Sequence, residues 1–114
     1  AAKYLGTPYV WGGYSPSGFD CSGFVSYCLV HSGVRNTGRL TAQGLYNICT
    51  PVSQSEAQPG DLIFFTGTYD AGEPVTHIGI YVGNGQMIHC GHPVQYTSIN
   101  SPYWQSHFYG FGRW

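Results

Sequence analysis

Charged residues are scarce in this sequence. Of its 114 residues only 8% are Asp, Glu, Lys or Arg, whereas about 25% is usual for a soluble domain. The formal net charge is −1, and the Lys and Arg residues form no run. A protein that binds nucleic acid or an anionic membrane normally carries a basic patch. We therefore expect neutral or zwitterionic ligands and no nucleic-acid partner.

Long apolar segments are also missing, and the pattern of a secretory leader is not found at the start of the given sequence. No apolar run approaches the roughly 18 residues that a membrane-spanning helix needs, and the chain does not open on a basic stretch followed by an apolar one. At 114 residues it is long enough to bury a core of its own without disulfides or metal. We expect one monomeric domain over residues 1–114, without a membrane span, that is either mature or excised from a longer secreted protein.

Cysteine patterns that would indicate a scaffold or a metal centre are missing too. Four cysteines are present, which is too few for a disulfide scaffold, and no two are spaced as C-x-x-C. The five histidines follow no metal-ligand spacing either. We expect no metal and no cofactor. The oxidation state of Cys28, Cys49 and Cys90 stays open, although Cys28 is expected in the core.

The most informative stretch is a Gly-rich, aromatic loop that leads into a helix at Cys21. Asp20 is a suitable N-cap for this helix, and Phe19 and Phe24 occupy the positions of a hydrophobic staple. On a helical wheel the inward-facing residues share one face, which consists of Cys21, Phe24, Val25 and Cys28. We expect the helix to run to residues 31–32.

Cys21 stands at the first position of this helix, on its inward face. The positive end of the helix dipole favours a thiolate there, and together with a nearby histidine it can lower a cysteine pKa from about 8.5 to roughly 3.5–7.5. This is a setting for a nucleophile. The alternative is a small buried apolar residue, which is the more common role of a lone cysteine.

Helices are predicted in the first half of the chain and strands in the second. A second short helix is expected over residues 41–46 and a single turn over 53–56, where the spacing is that of a capping box. The apolar run Leu62–Phe65 is typical of a strand covered on both faces. Further strands are expected at 77–82, 86–90, 94–97 and 108–114, with a loop at 101–104. This order indicates an α+β fold.

The turn at residues 83–85 decides which histidines share a face of the hairpin. A two-residue loop would put His77 and His89 on opposite faces and pair His77 with His92. A three-residue loop, a type I turn closed by a left-handed glycine, pairs Gly79 with His89 and leaves His77 about 7–8 Å away on the same face. We prefer this second register because it gathers the apolar residues on the other face, namely Ile78, Ile80, Val82, Ile88 and Cys90.

Cys21, His77 and His89 together form a candidate catalytic set. A cysteine, a histidine base and a polar residue that orients the base are the parts of a triad with a thiol nucleophile. The other three histidines have no comparable catalytic partners and are expected to be structural or exposed; they are His31, His92 and His107. His92 is the reserve candidate for the catalytic set.

Four segments together resemble the NlpC-type cell-wall peptidases, a papain-like family of bacterial enzymes that cut the peptide part of peptidoglycan. They are P-Y-V-W-G-G at 8–13, D-C-S-G at 20–23, Q-P-G-D-L-I-F-F at 58–65, and H-I-G-I-Y-V at 77–82 followed by M-I-H at 87–89. The resemblance implies a papain-like α+β fold, in which N-terminal helices, among them the nucleophile helix, pack on a central antiparallel sheet of about five strands.

The resemblance also implies roles for individual residues. Cys21 is expected to be the nucleophile, His77 the general base and His89 the third polar residue, with Tyr9 near the oxyanion site. The aromatic segment with Tyr9 and Trp11 indicates a groove for a small polar peptide, although packing is the alternative for both. Asp20 and Ser22 flank the nucleophile and are candidate polar contacts for the ends of a stem peptide.

The implied reaction is hydrolysis of the bond between γ-D-glutamate and the diamino acid of the peptidoglycan stem peptide, through a Cys21 thioester and without a cofactor. The implied location is secreted or in the bacterial cell envelope, with fusion to wall-binding or other hydrolase domains in the full protein. Two alternatives stay open: an amidase that cuts the bond between the sugar and the peptide, and a non-catalytic wall-binding module.

Overall fold

A six-stranded antiparallel sheet forms the body of the part of the chain that is described. The computed structural model describes residues 5–10, 13–15, 17–32, 40–67, 75–90 and 94–113. Their helices, in chain order, are α1 (Cys21–His31), α2 (Ala42–Ile48) and α3 (Pro102–His107). Their strands are β1 (Tyr14–Ser15), β2 (Gly18–Phe19), β3 (Thr50–Val52), β4 (Leu62–Phe65), β5 (His77–Gly83), β6 (Gln86–Cys90), β7 (Val94–Ser98) and β8 (Phe108–Arg113).

The sheet has the strand order β3-β8-β4-β5-β6-β7, and β1 and β2 form a separate two-stranded ribbon before α1. Its central strand β4 is fully buried along its length, as the continuous apolar run predicts. Leu62 and Phe64 belong to the core that α1 covers, whereas Ile63 and Phe65 belong to a second cluster on the other face. The predicted α+β architecture is therefore confirmed, with six strands instead of about five.

Helix α1 begins where the sequence predicts. The Asp20 carboxylate accepts a hydrogen bond from the Gly23 backbone N–H at 2.6 Å, which caps the first turn. The rings of Phe19 and Phe24 meet edge to face with centroids 5.6 Å apart, so the predicted staple is present. Gly23 is needed because a Cβ there would overlap the Gly13 carbonyl. The first turn is thus held by its cap, its staple and the preceding loop.

The β5–β6 hairpin has the preferred register but a different turn. Ile80 lies opposite Ile88, and the same register places Gly79 opposite His89. Both residues of the turn have positive φ, 54° for Asn84 and 73° for Gly85, which makes it a two-residue type I′ turn. The predicted type I turn is wrong. A bulge between Tyr81 and Gly83 supplies the extra residue and so restores the three-residue register.

Two other elements differ from the sequence prediction. Residues 101–104, expected as a loop, begin helix α3, whose first turn has Pro102 and is capped by the Ser101 hydroxyl, which accepts from the Trp104 N–H at 3.4 Å. Strand β3 was not predicted, because it is three residues long, contains Pro51 and lies at the edge of the sheet. The described residues contain no helix long and apolar enough to cross a membrane.

Candidate active site

The Cys21 thiol lies where the beginning of α1 meets the beginning of β5. Cys21 is the first residue of α1 and is only 7% exposed. Its Sγ lies 3.8 Å from the backbone carbonyl oxygen of Thr76 and is directed at it as a donor. Thr76 is the residue immediately before His77. The fold therefore brings the predicted nucleophile to the backbone that carries the predicted base.

His77 and His89 form a hydrogen-bonded pair on the neighbouring strands β5 and β6. His77 Nε2 lies 2.9 Å from His89 Nδ1, and the ring planes are nearly perpendicular, at 82°. Gly79 makes this possible, because a Cβ at that position would lie 2.8 Å from Met87 Sδ and 3.2 Å from His89 Cβ. The two histidines that the sequence places on one face of the hairpin do lie together there.

Thr97 adds a third group that the sequence did not indicate. Its Oγ1 lies 2.9 Å from His89 Nε2. Thr97 is opposite Met87 in the β6–β7 pairing, while Gln95 is opposite His89, so Thr97 reaches His89 diagonally on the same face of the sheet. The alternation of side chains between the two faces of β7 can be predicted from the sequence. It points to Thr97, however, only when the register of β7 against β6 is known.

Trp104 of α3 covers the histidine pair and was also missed. Its ring stacks on His77 with centroids 5.2 Å apart and an interplanar angle of 28°. It meets His89 edge to face, at 5.3 Å and 86°. It also contacts Phe65, at 4.7 Å between centroids. The helix-capping residues Ser101 and Pro102 could have predicted α3, but they carry no information about which strand it covers.

Burial sets the protonation state of both rings. It lowers the pKa of His77 from 6.5 to about 3, with repulsion from His89 as a second cause. Burial likewise lowers the pKa of His89 to about 4. Both imidazoles are therefore neutral at pH 7, and each carries one ring N–H. The resting site holds two neutral rings that can accept a proton when a negative charge forms beside them.

Two of the other cysteines, Cys28 and Cys90, lie in environments that keep them protonated. Burial raises the pKa of Cys28, and it raises the pKa of Cys90 to about 12, with the charges of Cys21 and Asp20 as further causes. The Cys90 thiol donates to the backbone carbonyl of Phe19 at 3.0 Å. The structure assigns no disulfide to any of the four cysteines. Cys28 is buried in the core, as predicted.

Three of the residues predicted to flank the substrate are in the described part of the chain. Tyr9 forms an isolated bridge with Phe19, so its backbone runs beside the residue that precedes the N-cap. Ser22 donates to Asp20 Oδ1 at 3.2 Å, which ties both side chains to the start of α1. Trp11 lies outside the described residues. Contacts of these four residues with a substrate stay predictions.

The remaining histidines divide as expected where they are described. His31 is exposed and stacks on Tyr27, with centroids 3.9 Å apart. His107 Nδ1 lies 2.7 Å from the Thr66 carbonyl, a structural contact. The reserve candidate His92 lies outside the described residues. Within the described ranges no three His, Cys, Asp or Glu side chains are grouped as ligands for a metal ion.

Three comparisons show which known proteins this chain resembles. The bifunctional muramidase/DL-endopeptidase CwlT of Bacillus subtilis is 46% identical over 115 residues, which cover 99% of this chain and 34% of CwlT. The probable endopeptidase p60 of Listeria seeligeri is 49% identical over 114 residues, covering 99% of this chain and 21% of p60. A crystal structure of a lipoprotein-like NLP/P60 family protein from Staphylococcus aureus superposes with a TM-score of 0.92 at 45% identity, over 97% of this chain and 37% of that one.

The chain thus spans between about a fifth and a third of the length of these two relatives. The resemblance extends over the whole of the fold, from the loop before α1 to the last strand of the sheet. The NlpC/P60 family model matches residues 6–113, a range that includes Cys21, His77 and His89. A match over nearly the whole sequence, with the same fold in a solved relative, shows that the chain belongs to the NlpC/P60 family.

Proposed function

We propose that this domain is a cysteine endopeptidase that hydrolyses the stem peptide of bacterial peptidoglycan, at the bond between γ-D-glutamate and the diamino acid. The observation that carries the proposal is the His77–His89 hydrogen bond of 2.9 Å at the start of β5, where the Cys21 thiol contacts the Thr76 carbonyl. A thiol at a helix N-terminus next to an oriented imidazole is the arrangement that thiol nucleophiles need.

The contacts of His77 support Nδ1 as the nitrogen that serves the thiol. His77 Nε2 is engaged with His89, so Nδ1 is the nitrogen left to take the proton from Cys21. The resulting thiolate attacks the peptide carbonyl carbon, and the oxyanion is held by the Cys21 backbone N–H and Tyr9. When the tetrahedral intermediate collapses, the C–N bond breaks and His77 gives its proton to the leaving amine.

The acyl group then remains on Cys21 as a thioester. His77, neutral again, removes a proton from a water molecule that attacks the thioester carbonyl. The C–S bond breaks, the free carboxylic acid leaves, and the proton returns to the thiolate of Cys21. The free enzyme is regenerated, and no cofactor takes part in the cycle.

The substrate assignment rests on the low share of charged residues and on the similarity to CwlT. With 8% charged residues, the domain suits a short polar peptide better than a polyanion. Asp20, Ser22, Tyr9 and Trp11 are the proposed substrate contacts. CwlT is named as a DL-endopeptidase, and this name supports cleavage after a D-residue such as γ-D-glutamate. Secretion or attachment to the cell envelope, a monomeric state and fusion to further wall-acting domains complete the proposal.

Digestion of purified peptidoglycan by the wild type and by Cys21→Ala, followed by mass spectrometry, tests this function. We expect the wild type to release fragments that end in γ-D-glutamate, with a new free amine on the diamino acid and intact glycan chains. Cys21→Ala should release none. Whole stem peptides with free lactyl groups on muramic acid would show an amidase instead. Binding to sacculi without any turnover would show a wall-binding module.

A further inference from the structure

Two successive contacts link the side chains of Thr97, His89 and His77. Thr97 Oγ1 lies 2.9 Å from His89 Nε2, and His89 Nδ1 lies 2.9 Å from His77 Nε2. Of the four ring nitrogens of His77 and His89, three take part in these two contacts. The fourth is His77 Nδ1. The position of the protons along these contacts decides whether His77 Nδ1 offers a lone pair.

We propose that Thr97 is a positioning residue that accepts a hydrogen bond from His89 Nε2–H and thereby selects the tautomers of both histidines. The proposal rests on the proposed function, because it concerns how His77 becomes a base for Cys21. Thr97 touches neither the thiol nor, in this scheme, the substrate. It acts only through His89.

Two proton arrangements satisfy both contacts. In the first, His77 carries its proton on Nε2 and donates to His89 Nδ1, and His89 Nε2–H donates to Thr97. This leaves the lone pair of His77 on Nδ1. In the second, Thr97 donates to His89 Nε2 and His89 Nδ1–H donates to His77 Nε2, so that the His77 proton must sit on Nδ1. Only the first arrangement can accept a proton from Cys21.

Because both rings are neutral, each carries a single ring proton and the pair must adopt one of the two arrangements. With pKa values of about 3 and about 4, neither histidine carries two ring protons at pH 7 before the thiol ionises. His89 is only 4% exposed, so a His89 Nε2–H without an acceptor would be costly. A residue without an acceptor at position 97 therefore favours the second, unproductive arrangement.

The first measurement needs no variant. Two-dimensional ¹H–¹⁵N spectra of the histidine rings in the folded wild type at pH 7 distinguish protonated from bare ring nitrogens. We expect the Nε2–H tautomer for both His77 and His89. The Nδ1–H tautomer for His89 would overturn the proposal, whatever the enzyme does to peptidoglycan. A wild type that shows the expected tautomers but cuts nothing would refute the proposed function alone.

The second measurement compares Thr97→Val, which removes the acceptor at nearly constant volume, with Thr97→Ser, which keeps it. Loss of this partly buried hydrogen bond corresponds to roughly a 10- to 100-fold change in the tautomer ratio. We expect Thr97→Val to lose kcat/KM by that factor and to shift His89 towards Nδ1–H, and Thr97→Ser to restore both. Thr50→Val, at an exposed threonine of β3, is the matched control. Unchanged kcat/KM in a folded Thr97→Val would overturn the proposal.

Discussion

His77 and His89 lie side by side with Nε2 of one 2.9 Å from Nδ1 of the other. They are on neighbouring strands, and a glycine opposite His89 leaves the room that the two rings need. His89 is buried and His77 half-buried, both rings are neutral at pH 7, and Trp104 covers the pair. Its reactivity is therefore set by the protein around it and not by the ordinary properties of histidine in water.

Alkylation rates separate activation of Cys21 from mere exposure. Cys21 is 7% exposed, whereas Cys49 is the most exposed of the four cysteines. If exposure alone governed reactivity, Cys49 would react first. We expect Cys21 to react faster than Cys49 with iodoacetamide at pH 7, because of the helix N-terminus and the proposed base His77. Timed labelling with peptide mass analysis measures both rates.

The same labelling in a His77→Ala background provides the control. The Cys21 rate should fall towards that of an ordinary buried thiol, while the Cys49 rate should not change. Labelling of Cys49 ahead of Cys21 in the wild type would contradict the assignment of the nucleophile.

Substitution of the three site residues should give graded losses of activity. We expect Cys21→Ala and His77→Ala to lose at least roughly 10³-fold in kcat/KM, because these groups exchange the proton. His89→Ala should lose less, roughly 10–100-fold, because His89 only orients the base. His31→Ala, at an exposed histidine, is the control and should be silent. A loss for His89→Ala as large as that for His77→Ala would show that His89 itself takes part in proton transfer.

Gly79→Ala should damage the site through one added methyl group. Its Cβ would lie 2.8 Å from Met87 Sδ and 3.2 Å from His89 Cβ, so the buried Met87 side chain must move and His89 must be displaced slightly. We expect a loss of about 1–3 kcal/mol in the free energy of unfolding and a fall in kcat/KM. Gly110→Ala is the matched control, because a Cβ there meets no atom within 4 Å. Equal effects of the two changes in denaturant unfolding and peptide hydrolysis would refute this explanation.

Trp104→Ala should raise the pKa of His89. Desolvation is the cause of the lowered value of about 4, and Trp104 contributes to it by contacting the ring. Without the indole, water reaches the pair and the pKa moves up towards 6.5. A histidine titration followed by NMR measures the shift. Trp104→Phe keeps part of the cover and should shift the pKa less; a shift as large as that for alanine would argue against shielding by the ring.

Stability should fall as the solution becomes acidic below pH 6.5. In the folded state the pKa values of His77 and His89 are about 3 and about 4, below the ordinary 6.5. Between pH 6.5 and about 4 the unfolded chain therefore binds protons that the folded chain does not, and the free energy of unfolding decreases. Each histidine contributes up to about 1.4 kcal/mol per pH unit. Above pH 6.5 neither contributes.

Denaturant unfolding at pH 7, 6 and 5 measures this slope. The double variant His77→Gln with His89→Gln removes both titrating groups and should flatten it over this range. A slope that the double variant leaves unchanged would assign the acid sensitivity to other groups.

The elements that the sequence predicted well depend on neighbours in the chain. The start of α1 follows from a cap and a staple within a few residues of Cys21. Strand β4 follows from four consecutive apolar residues. The hairpin register follows from the requirement that the apolar residues share a face, and it brought His77 and His89 together even though the predicted turn type was wrong.

Neighbours in the chain are therefore enough to predict helix α1, strand β4 and the two histidines of the candidate site. What surrounds these residues depends on the tertiary structure. Thr97 comes to His89 through the register of β7 on β6, and Trp104 through the placement of α3 over β4 and β5. These contacts join residues that are distant in the chain, and their burial sets the protonation of both histidines. Local patterns carry no information about such contacts, because they arise only when the strands pair and the helix covers them.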